Sequence, residues 1–404
     1  MKKIKLQPGE IGECLLEKLS HSVFQQLRSD VPVGALLSGG IDSGILVSLA
    51  AKYVDTPLKT LTVEFEGANY NEAPLARLVA DMYGTNHEEI TVDLKAPDNL
   101  LPDVIWHLGE PLNDAALIPN YIVEYYMSKH VKVALNGSGG DELFAGYSRY
   151  SQLPIEKRYL RFPEKLRKNV IEPIIGTFSP HTVWKLKRAE KFFLDGGGYL
   201  HDHSTQFSGD MRYMIGNKQQ NISAKQKQFF DEFIGERETA ALYADFNTYL
   251  PDDLLILLDS TSMAFGVEGR VPFLDREFVE LALSVPADIR NMGYINKGLE
   301  KTIAKKLLPY EIINAPKQGF LSPMQAWMDG EFLKSVKTIL TRPDCLARGW
   351  WTYSGILKIL SKPKKYGFHI YTLLVLELIA TIFVDLKYFN SSPGISLKEL
   401  EKNL

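Results

Sequence analysis

The sequence contains little of what marks several common classes of protein. Only two of its 404 residues are cysteines, Cys14 and Cys345, which are too few and too far apart for a disulfide framework or a cysteine metal site. The net charge is −3, so no basic excess points to nucleic acid or to a membrane surface as a partner. We therefore expect a globular protein of the reducing cytoplasm that binds neither.

Long apolar runs are scarce as well. The amino terminus, MKKIKLQPGEIGE, has no apolar core behind its lysines and does not resemble a signal peptide. The most apolar stretch, 370–384, is shorter than the roughly 20 residues of a membrane-spanning helix and contains Glu377. We interpret it as a buried helix. With 45% hydrophobic residues and no internal repeat, the chain can form one large domain or two ordinary ones.

Strand-like and helix-like patterns alternate over the first 150 residues. Strands are predicted at 33–37, 59–65, 87–92 and 131–135, and helices at 11–27, 44–54, 71–83, 99–108 and 118–129. This alternation is typical of an α/β fold, a Rossmann-like parallel sheet with helices on both faces. From 151 to 390 helix-length patterns predominate, and the polar tail 391–404 is expected to fray.

Residues 33–46, VGALLSGGIDSGIL, predict a strand, a glycine turn and a helix N-terminus. Glycines let backbone N–H groups approach an anion, and the Ser38 and Ser43 hydroxyls and the helix dipole add attraction. A phosphate or pyrophosphate suits such a loop. Asp42 would repel this guest unless a divalent cation lay between them, which predicts a Mg²⁺ ligand. An ordinary glycine turn is the alternative, because short Gly/Ser motifs are common.

A second loop with glycines and acids follows the strand at 131–135. It reads GSGGDELFAGY over 137–147 and contains Asp141 and Glu142. In parallel sheets the carboxyl ends of the strands share one edge, where ligands bind. We therefore expect Asp42 and Asp141 to form a Mg²⁺ pair that bridges phosphate groups. Asp141 could also cap the helix that follows it.

Two charged residues of the helical part are further candidates. Glu268 and Arg270 lie in the segment VEGRVPFLD, although a single Glu–Arg pair is more often structural than catalytic. Lys317 lies on a loop between Pro316 and Gly319, where a cation can meet a phosphate transition state. Exposed lysines usually have no specific role, so both candidates need support from elsewhere.

Two other features are weaker. His201 and His203 lack further ligands at metal-binding spacing, so we expect no metal there. The region 157–191 contains ten Lys or Arg residues against three Glu. A solvated helical face is the expected interpretation, and a docking surface for an acidic partner is the alternative.

The order and context of these motifs resemble the synthetase domain of the asparagine synthetase family, in the ATP-pyrophosphatase (PP-loop) superfamily. The resemblance covers the chain from 11 to about 385 and implies one asparagine synthase-type domain over 1–404. It implies a nucleotide-binding core at 1–150, of the adenine nucleotide alpha-hydrolase-like kind, and a helical part at 151–390 that completes the site. The matching segments are SGGIDS (38–43), EPLNDAALIPNY (110–121), GSGGDELFAGYSRY (137–150), SMAFGVEGRVPFLD (262–275) and PKQGF (316–320) followed by Trp327.

The resemblance implies AMP-forming amide synthesis with ATP and Mg²⁺. A carboxylate, aspartate by default, attacks the α-phosphate, pyrophosphate leaves, and ammonia attacks the acyl-adenylate. In-line attack at phosphorus needs positioning and charge neutralisation more than covalent catalysis. ATP and pyrophosphate binding is assigned to Leu36, Ser38, Gly39, Gly40, Asp42, Ser43, Val63 and Gly137. The metal ligands are Asp42 and Asp141, and the catalytic candidates are Lys317, Asp42, Asp141 and Glu268.

The sequence departs from the family's pattern in two ways. Full-length family enzymes begin with a glutaminase domain whose nucleophile is an amino-terminal cysteine, whereas this chain begins Met1-Lys2. We expect nitrogen to come from ammonia, from a separate glutaminase subunit or from an amine on the substrate. Ser138 stands where asparagine-forming members have an acid. A serine cannot attract or deprotonate ammonium as a carboxylate can.

Three hypotheses follow from the sequence. The first is a cytoplasmic Mg-ATP-dependent ligase that makes asparagine. The second is a relative that amidates a sugar acid or closes an amide in a peptide or β-lactam precursor, and Ser138 favours it. The third is an inactive scaffold that binds a nucleotide, and the intact loop at 38–43 together with Asp141 and Lys317 argues against it.

Overall fold

The structure is a computed structural model that describes residues 8–65, 71–93, 96–114, 116–147, 150, 158–179, 182, 186, 214–216, 225–292, 296–315 and 324–403. Three features of the sequence analysis lie outside these residues. They are the loop with Lys317, the pair His201 and His203, and parts of the basic region 157–191.

Helices and strands alternate up to residue 144, as the sequence predicts. In order they are α1 Pro8–Gln26, β1 Val33–Leu36, α2 Ile41–Ala50, β2 Lys59–Phe65, α3 Ala73–Tyr83, β3 Asn86–Val92, α4 Ala96–Leu108, α5 Leu117–Met127, β4 Val133–Leu135 and α6 Gly140–Phe144. The difference that matters for the site concerns α2. It begins at Ile41 rather than Gly44, so its first turn includes Asp42 and Ser43.

The strands form one parallel sheet in the order β3-β2-β1-β4-β5, which confirms the predicted α/β fold. Its fifth strand, β5 Glu268–Arg270, lies beside β4. The sequence does not predict β5, because its three residues are charged or glycine rather than β-branched. Helix-length patterns dominate this part of the chain and obscure so short a strand.

The rest of the described chain is mainly helical. Three helices are labelled here: α7 Ile256–Met263, which continues the π-helical segment Leu250–Leu255, α8 Gly298–Ala304 and α9 Pro363–Ile379. The other helical segments are Glu164–Leu166, Arg167–Ile171, Glu172–Phe178, Lys225–Glu232, Arg237–Phe246, Pro272–Leu274, Arg276–Ser284, Ala287–Arg290, Tyr310–Asn314, Met324–Trp327, Gly330–Thr341, Pro343–Ala347, Tyr353–Leu360, Ala380–Val384 and Leu397–Asn403.

Two hydrophobic cores lie on the two faces of the sheet. Successive residues of a strand point to opposite faces, and Ala134 and Leu135 of β4 accordingly belong to different cores. The Ala134 core contains side chains of α4, α5 and α9. The Leu135 core contains side chains of α1, α2, α3 and α8. This covering of both faces explains why the strands are apolar throughout.

The apolar stretch 370–384 lies in a core helix, as predicted. Together α9 and Ala380–Val384 span 22 residues and are apolar enough to cross a membrane, but 61% of the most apolar window is buried inside the protein. Glu377 within it is fully buried, and its Oε2 lies 2.8 Å from Nε of Arg348. The fold therefore buries this helix and pairs the Glu377 carboxylate with Arg348.

The prediction that the polar tail frays is wrong. Residues Leu397–Asn403 form a helix, and Leu397 and Leu400 are fully buried. A capping box starts it: the Glu399 N–H donates to Ser396 Oγ at 3.2 Å, and the Ser396 N–H donates to Glu399 Oε2 at 2.9 Å. Two buried leucines and one cap outweigh the polar composition of the segment.

Glu124 on α5 is a fully buried carboxylate whose oxygens have no hydrogen-bond partner among the described residues. Burial raises its pKa from 4.5 to about 8. A carboxyl group whose pKa is higher in the folded than in the unfolded state stabilises the fold at pH values below its unfolded pKa. This stabilisation is lost as the pH rises toward 8. We expect Glu124→Gln to exceed the wild type in free energy of unfolding by about 4 kcal/mol at pH 8, because each pKa unit is worth about 1.4 kcal/mol.

Near pH 4 the difference between Glu124→Gln and the wild type should vanish, because the carboxyl is then neutral in both states. Urea denaturation at several pH values measures it. Glu17→Gln, at an exposed position of α1, is the matched control and should show no such trend. A difference for Glu124→Gln that is constant with pH would contradict the assignment.

Candidate active site

The site lies where the chain changes direction across the sheet. From β1 the chain adds β2 and β3 on one side and later β4 and β5 on the other. Val33 pairs with Val133 and Ala35 with Leu135, so β1 and β4 end at the same level. The loops that follow them lie side by side at the carboxyl edge. Open α/β sheets bind their ligands at this switch point.

Hydroxyl groups hold the first loop in its turn. The Ser38 N–H donates to Ser43 Oγ at 3.1 Å, and the two hydroxyls are 2.9 Å apart. The Gly40 N–H donates to Ser38 Oγ at 3.2 Å. Gly40 and Ile41 line a cavity, so the first turn of α2 borders the space where an anion would bind.

At Gly140 the two loops lie so close together that a side chain would not fit between them. A Cβ at Gly140 would overlap the carboxylate of Asp42. The glycine therefore lets the second loop pack against Asp42 from the first. This packing brings Asp42 and Asp141, which are far apart in the sequence, to one place.

A buried lysine occupies the centre of this arrangement. Lys297 Nζ pairs with Asp42, lies 2.9 Å from Asp141 Oδ1 and lies 3.2 Å from Glu300 Oε2. Its side chain is only 5% exposed, and Glu300 is fully buried. Three carboxylates from three separate elements thus surround one cation.

The electrostatics of the cluster keep Lys297 charged. Burial opposes the charge, but attraction by Asp141, Asp42 and Glu300 raises its pKa well above the ordinary value. Burial also raises the pKa of Glu300 well above its ordinary range, and repulsion by Asp42 adds to this. Both effects disfavour the charged form of Glu300.

Asp42 and Asp141 also fit a magnesium ion. Mg²⁺ is usually held by one or two carboxylates together with phosphate oxygens and water. The two aspartates already converge on a cation from two loops. Among the described residues no group of three or more His, Cys, Asp or Glu side chains is placed to hold a metal. A metal held by Asp42 and Asp141 would take its remaining ligands from water and from the phosphates of a bound ligand.

The sequence does not reveal Lys297 and Glu300 as site residues. Lys297 has a left-handed backbone conformation, with φ of 57°, at the start of α8. Such conformations are uncommon outside glycine and cluster at functional sites. The available signal was the turn Asn296-Lys297-Gly298 followed by Glu300 at helical spacing. An isolated lysine gives no indication that it is buried, so this signal was too weak.

Most of the predicted site residues surround one cavity of about 730 Å³. The volume is in the range of small-molecule sites. The predicted residues that line it are Leu36, Ser38, Gly39, Gly40, Asp42, Ser43, Val63, Gly137 and Asp141. Lys297 and Ser138 line it too.

The structure does not bring Glu268 to this group. Glu268 pairs with Val133 across β4 and β5, whereas the second loop follows Leu135 at the other end of β4. Its carboxylate lies 2.8 Å from Nε of Arg270, and Arg270 also donates to the Gln26 and Arg28 carbonyls. Glu268 thus belongs to a structural contact between β5 and the end of α1.

The Ser138 side chain is engaged within its own loop. Its hydroxyl donates to Asn136 Oδ1 at 2.8 Å, and its N–H donates to the same oxygen at 2.9 Å. A hydroxyl cannot act at this position as a carboxylate base would. Its contribution is to fix the turn of the second loop.

The parallel sheet with helices on both faces is consistent with the α/β fold of the ATP-pyrophosphatase (PP-loop) superfamily. A parallel sheet presents a Gly/Ser phosphate loop and two convergent aspartates at its switch point. The family model described as asparagine synthase matches residues 15–383, and the chain belongs to this family. This match confirms the resemblance seen in the motifs.

Individual relatives agree with the family. The chain is 30% identical over 347 residues to glutamine-hydrolyzing asparagine synthetase 1 of Bacillus subtilis, a match covering 84% of this chain and 54% of that protein. It is 26% identical over 398 residues to amidase chyE of Penicillium rubens, covering 87% and 58%. It is 24% identical over 379 residues to amidase chry2 of Gibberella zeae, covering 83% and 56%. The chain spans little more than half the length of these relatives.

Proposed function

We propose that this chain is a cytoplasmic, ATP-dependent ligase that forms an amide and releases AMP and pyrophosphate. A carboxylate oxygen attacks the α-phosphorus, and the bond from that phosphorus to pyrophosphate breaks. Ammonia or an amine then attacks the acyl carbon, AMP leaves, and the nitrogen loses a proton. The observation that carries the proposal is that Asp42 and Asp141 converge on buried Lys297 in a cavity that the Gly/Ser loop also lines.

Each part of the cavity has a task in this reaction. The loop at 38–43 holds the pyrophosphate, and Leu36, Val63 and Gly137 contact the nucleoside. Asp42 and Asp141 would hold Mg²⁺, which neutralises phosphate charge and orients the leaving group. Lys297 holds the two aspartates together and supplies a fixed positive charge beside them. Lys317 remains, from the sequence, the proposed cation for the transferring phosphates.

The inactive scaffold hypothesis has little support in this geometry. Burying one cation among three acids is expensive, and well-packed apolar residues often replace such clusters without loss of stability. A scaffold that needs only nucleotide binding would have no use for Glu300, fully buried behind the two aspartates. The cost is understandable if the charges act on phosphates.

Aspartate is the reference acid, since the related Bacillus subtilis protein is named an asparagine synthetase. Purified protein with Mg-ATP, ammonium and the correct carboxylate should release AMP and pyrophosphate in equal amounts. Release of ADP, or no release with any acid while ATP still binds, would contradict the ligase. Replacing ammonium by glutamine, with and without a separate glutaminase, tests the nitrogen source.

The Lys317→Ala variant should release pyrophosphate about 100-fold more slowly at saturating ATP, because loss of one charge-stabilising group costs about 10²–10³ in rate. ATP affinity should change much less, since the loop at 38–43 remains intact. The exposed Lys305, at the end of α8, provides the matched control Lys305→Ala. An unchanged rate for Lys317→Ala would remove Lys317 from the reaction.

A further inference from the structure

The cavity wall on the β5 side of the sheet is apolar. Leu254, from the π-helical segment, and Leu257 and Leu258, from α7, line it. Leu257 and Leu258 are each 5% exposed. Leu258 packs on β5, since a Cβ at Gly269 would lie 3.1 Å from Leu258 Cγ. The three leucines, called here the leucine wall, thus lie beside β4 and β5, and β4 leads into the second loop.

Two tyrosines extend this wall. Tyr147, at the end of the second loop, and Tyr249, just before the π-helical segment, have ring centroids 6.1 Å apart, and both line the cavity. The Tyr147 hydroxyl donates to Glu142 Oε1 at 2.8 Å, so this hydroxyl has a partner within the protein. The three leucines and the two tyrosine rings give this side of the cavity hydrocarbon and aromatic surface.

The positive charges of the cavity are elsewhere. Among the described residues that line it, the cations are Lys297 and Lys301. Both belong to α8 or the residue before it, and α8 packs against α1 and α2 on the phosphate-loop side. Lys297 is already held by Asp42, Asp141 and Glu300. No described cation therefore stands on the leucine wall to pair with a second carboxylate of a substrate.

Negative charge suited to an ammonium is also scarce there. Asp114 lines the cavity and accepts a hydrogen bond from the Ala116 N–H at 2.7 Å. Burial raises its pKa and thus favours its neutral form. The remaining acids, Asp42, Asp141 and Glu142, are engaged by Lys297 and Tyr147, and Glu72 adjoins Gly39 of the phosphate loop.

We propose that the acyl substrate is a carboxylic acid with an apolar body that packs against Leu254, Leu257 and Leu258 while its carboxylate reaches the α-phosphate. This inference rests on the proposed function and narrows its substrate. Aspartate would place an ammonium and a second carboxylate against the leucine wall, where the described lining offers leucine and tyrosine side chains. Burying an unpaired charge is costly, whereas an aliphatic or aromatic body fills the same space favourably.

Two stable analogues of the acyl-adenylate separate these substrates without requiring turnover. One is an acylsulfamoyl adenosine with a 3-phenylpropionyl group, and the other has a β-aspartyl group. Titration calorimetry of the full chain with Mg²⁺ measures both affinities. We expect the phenylpropionyl analogue to bind at least about tenfold more tightly, a typical discrimination for a hydrophobic pocket. Equal or tighter binding of the aspartyl analogue would overturn the proposal, as would failure of both to bind.

Leu257→Arg places a cation on the wall and should reverse this preference. Met263→Arg adds the same charge to the same helix at a position that is 56% exposed, and it should leave both affinities unchanged. ATP affinity reports that each variant is folded. If folded Leu257→Arg still preferred the phenylpropionyl analogue, the proposed packing of the acyl body against the leucine wall would be wrong.

Pyrophosphate release keeps the two proposals apart. Preferred binding of the phenylpropionyl analogue without pyrophosphate release from any acid would end the ligase proposal and leave the apolar subsite standing. Pyrophosphate release with aspartate but not with 3-phenylpropionate would support the ligase proposal and contradict the apolar subsite.

Discussion

We expect Asp42→Asn to release pyrophosphate about 10³-fold more slowly than the wild type, since loss of one group that stabilises developing charge costs about 10²–10³ in rate. Asparagine preserves the shape of the side chain but removes the charge that pairs with Lys297 and would face Mg²⁺. The Mg²⁺ concentration for half-maximal rate should rise at least about 10-fold, because loss of even an outer-shell partner of a metal ligand typically costs 10–100-fold in metal affinity. A continuous pyrophosphate assay over a Mg²⁺ series measures both.

Asp55→Asn is the matched control for Asp42→Asn. It removes the same charge from an exposed position shortly after α2, and its rate and Mg²⁺ dependence should equal those of the wild type. Thermal unfolding should show that Asp42→Asn is folded, since Lys297 retains Asp141 and Glu300 as partners. A folded Asp42→Asn variant with more than a tenth of the wild-type rate would contradict the role of Asp42.

Local patterns predict most of the sheet and both of its loops. The strand 59–65 is rich in β-branched residues and is found at those bounds. Strands β1 and β4 are apolar because helices cover both faces. The loops are predictable because glycines directly after a buried strand are typical of a tight turn, and the parallel register then brings the two turns together.

The residues that the sequence does not reveal depend on tertiary contacts. Lys297 becomes recognisable only when α8 packs beside α2 and places it between the two loops. Glu268 has the right residue type and a suggestive motif, yet the register of β5 places it at the far end of β4. In both cases the sequence shows the chemistry of the side chain but not its position in the folded protein.

The wall of the cavity illustrates the same limit. Leu254, Leu257 and Leu258 fit a helical apolar pattern, which in sequence terms indicates core. Leu257 does belong to the core, but all three leucines also line the cavity. A periodic pattern cannot distinguish a leucine that faces another helix from one that faces a ligand. The substrate proposal therefore depends on the structure alone.

We expect Lys297→Met to lower the free energy of unfolding by about 3–5 kcal/mol, the usual effect of removing one partner from a buried ion pair. Methionine fills much of the lysine volume, so lost packing adds little. What it removes is the charge that holds Asp42 and Asp141 together, beside fully buried Glu300. Lys305→Met, which changes an exposed lysine at the end of α8, should have no comparable effect. Thermal and urea unfolding without added metal measure both variants.

Added Mg²⁺ then tests whether the lysine and the metal use the same two carboxylates. In the wild type Lys297 already pairs with both Asp42 and Asp141, so Mg²⁺ without nucleotide should stabilise the protein little. In Lys297→Met the two aspartates have no cation, and a ligand that binds only the folded state stabilises it by mass action. We expect millimolar Mg²⁺ to raise the melting temperature of the variant and not that of the wild type. An equal response of both proteins would mean that Asp42 and Asp141 do not bind Mg²⁺ in the space that the lysine occupies.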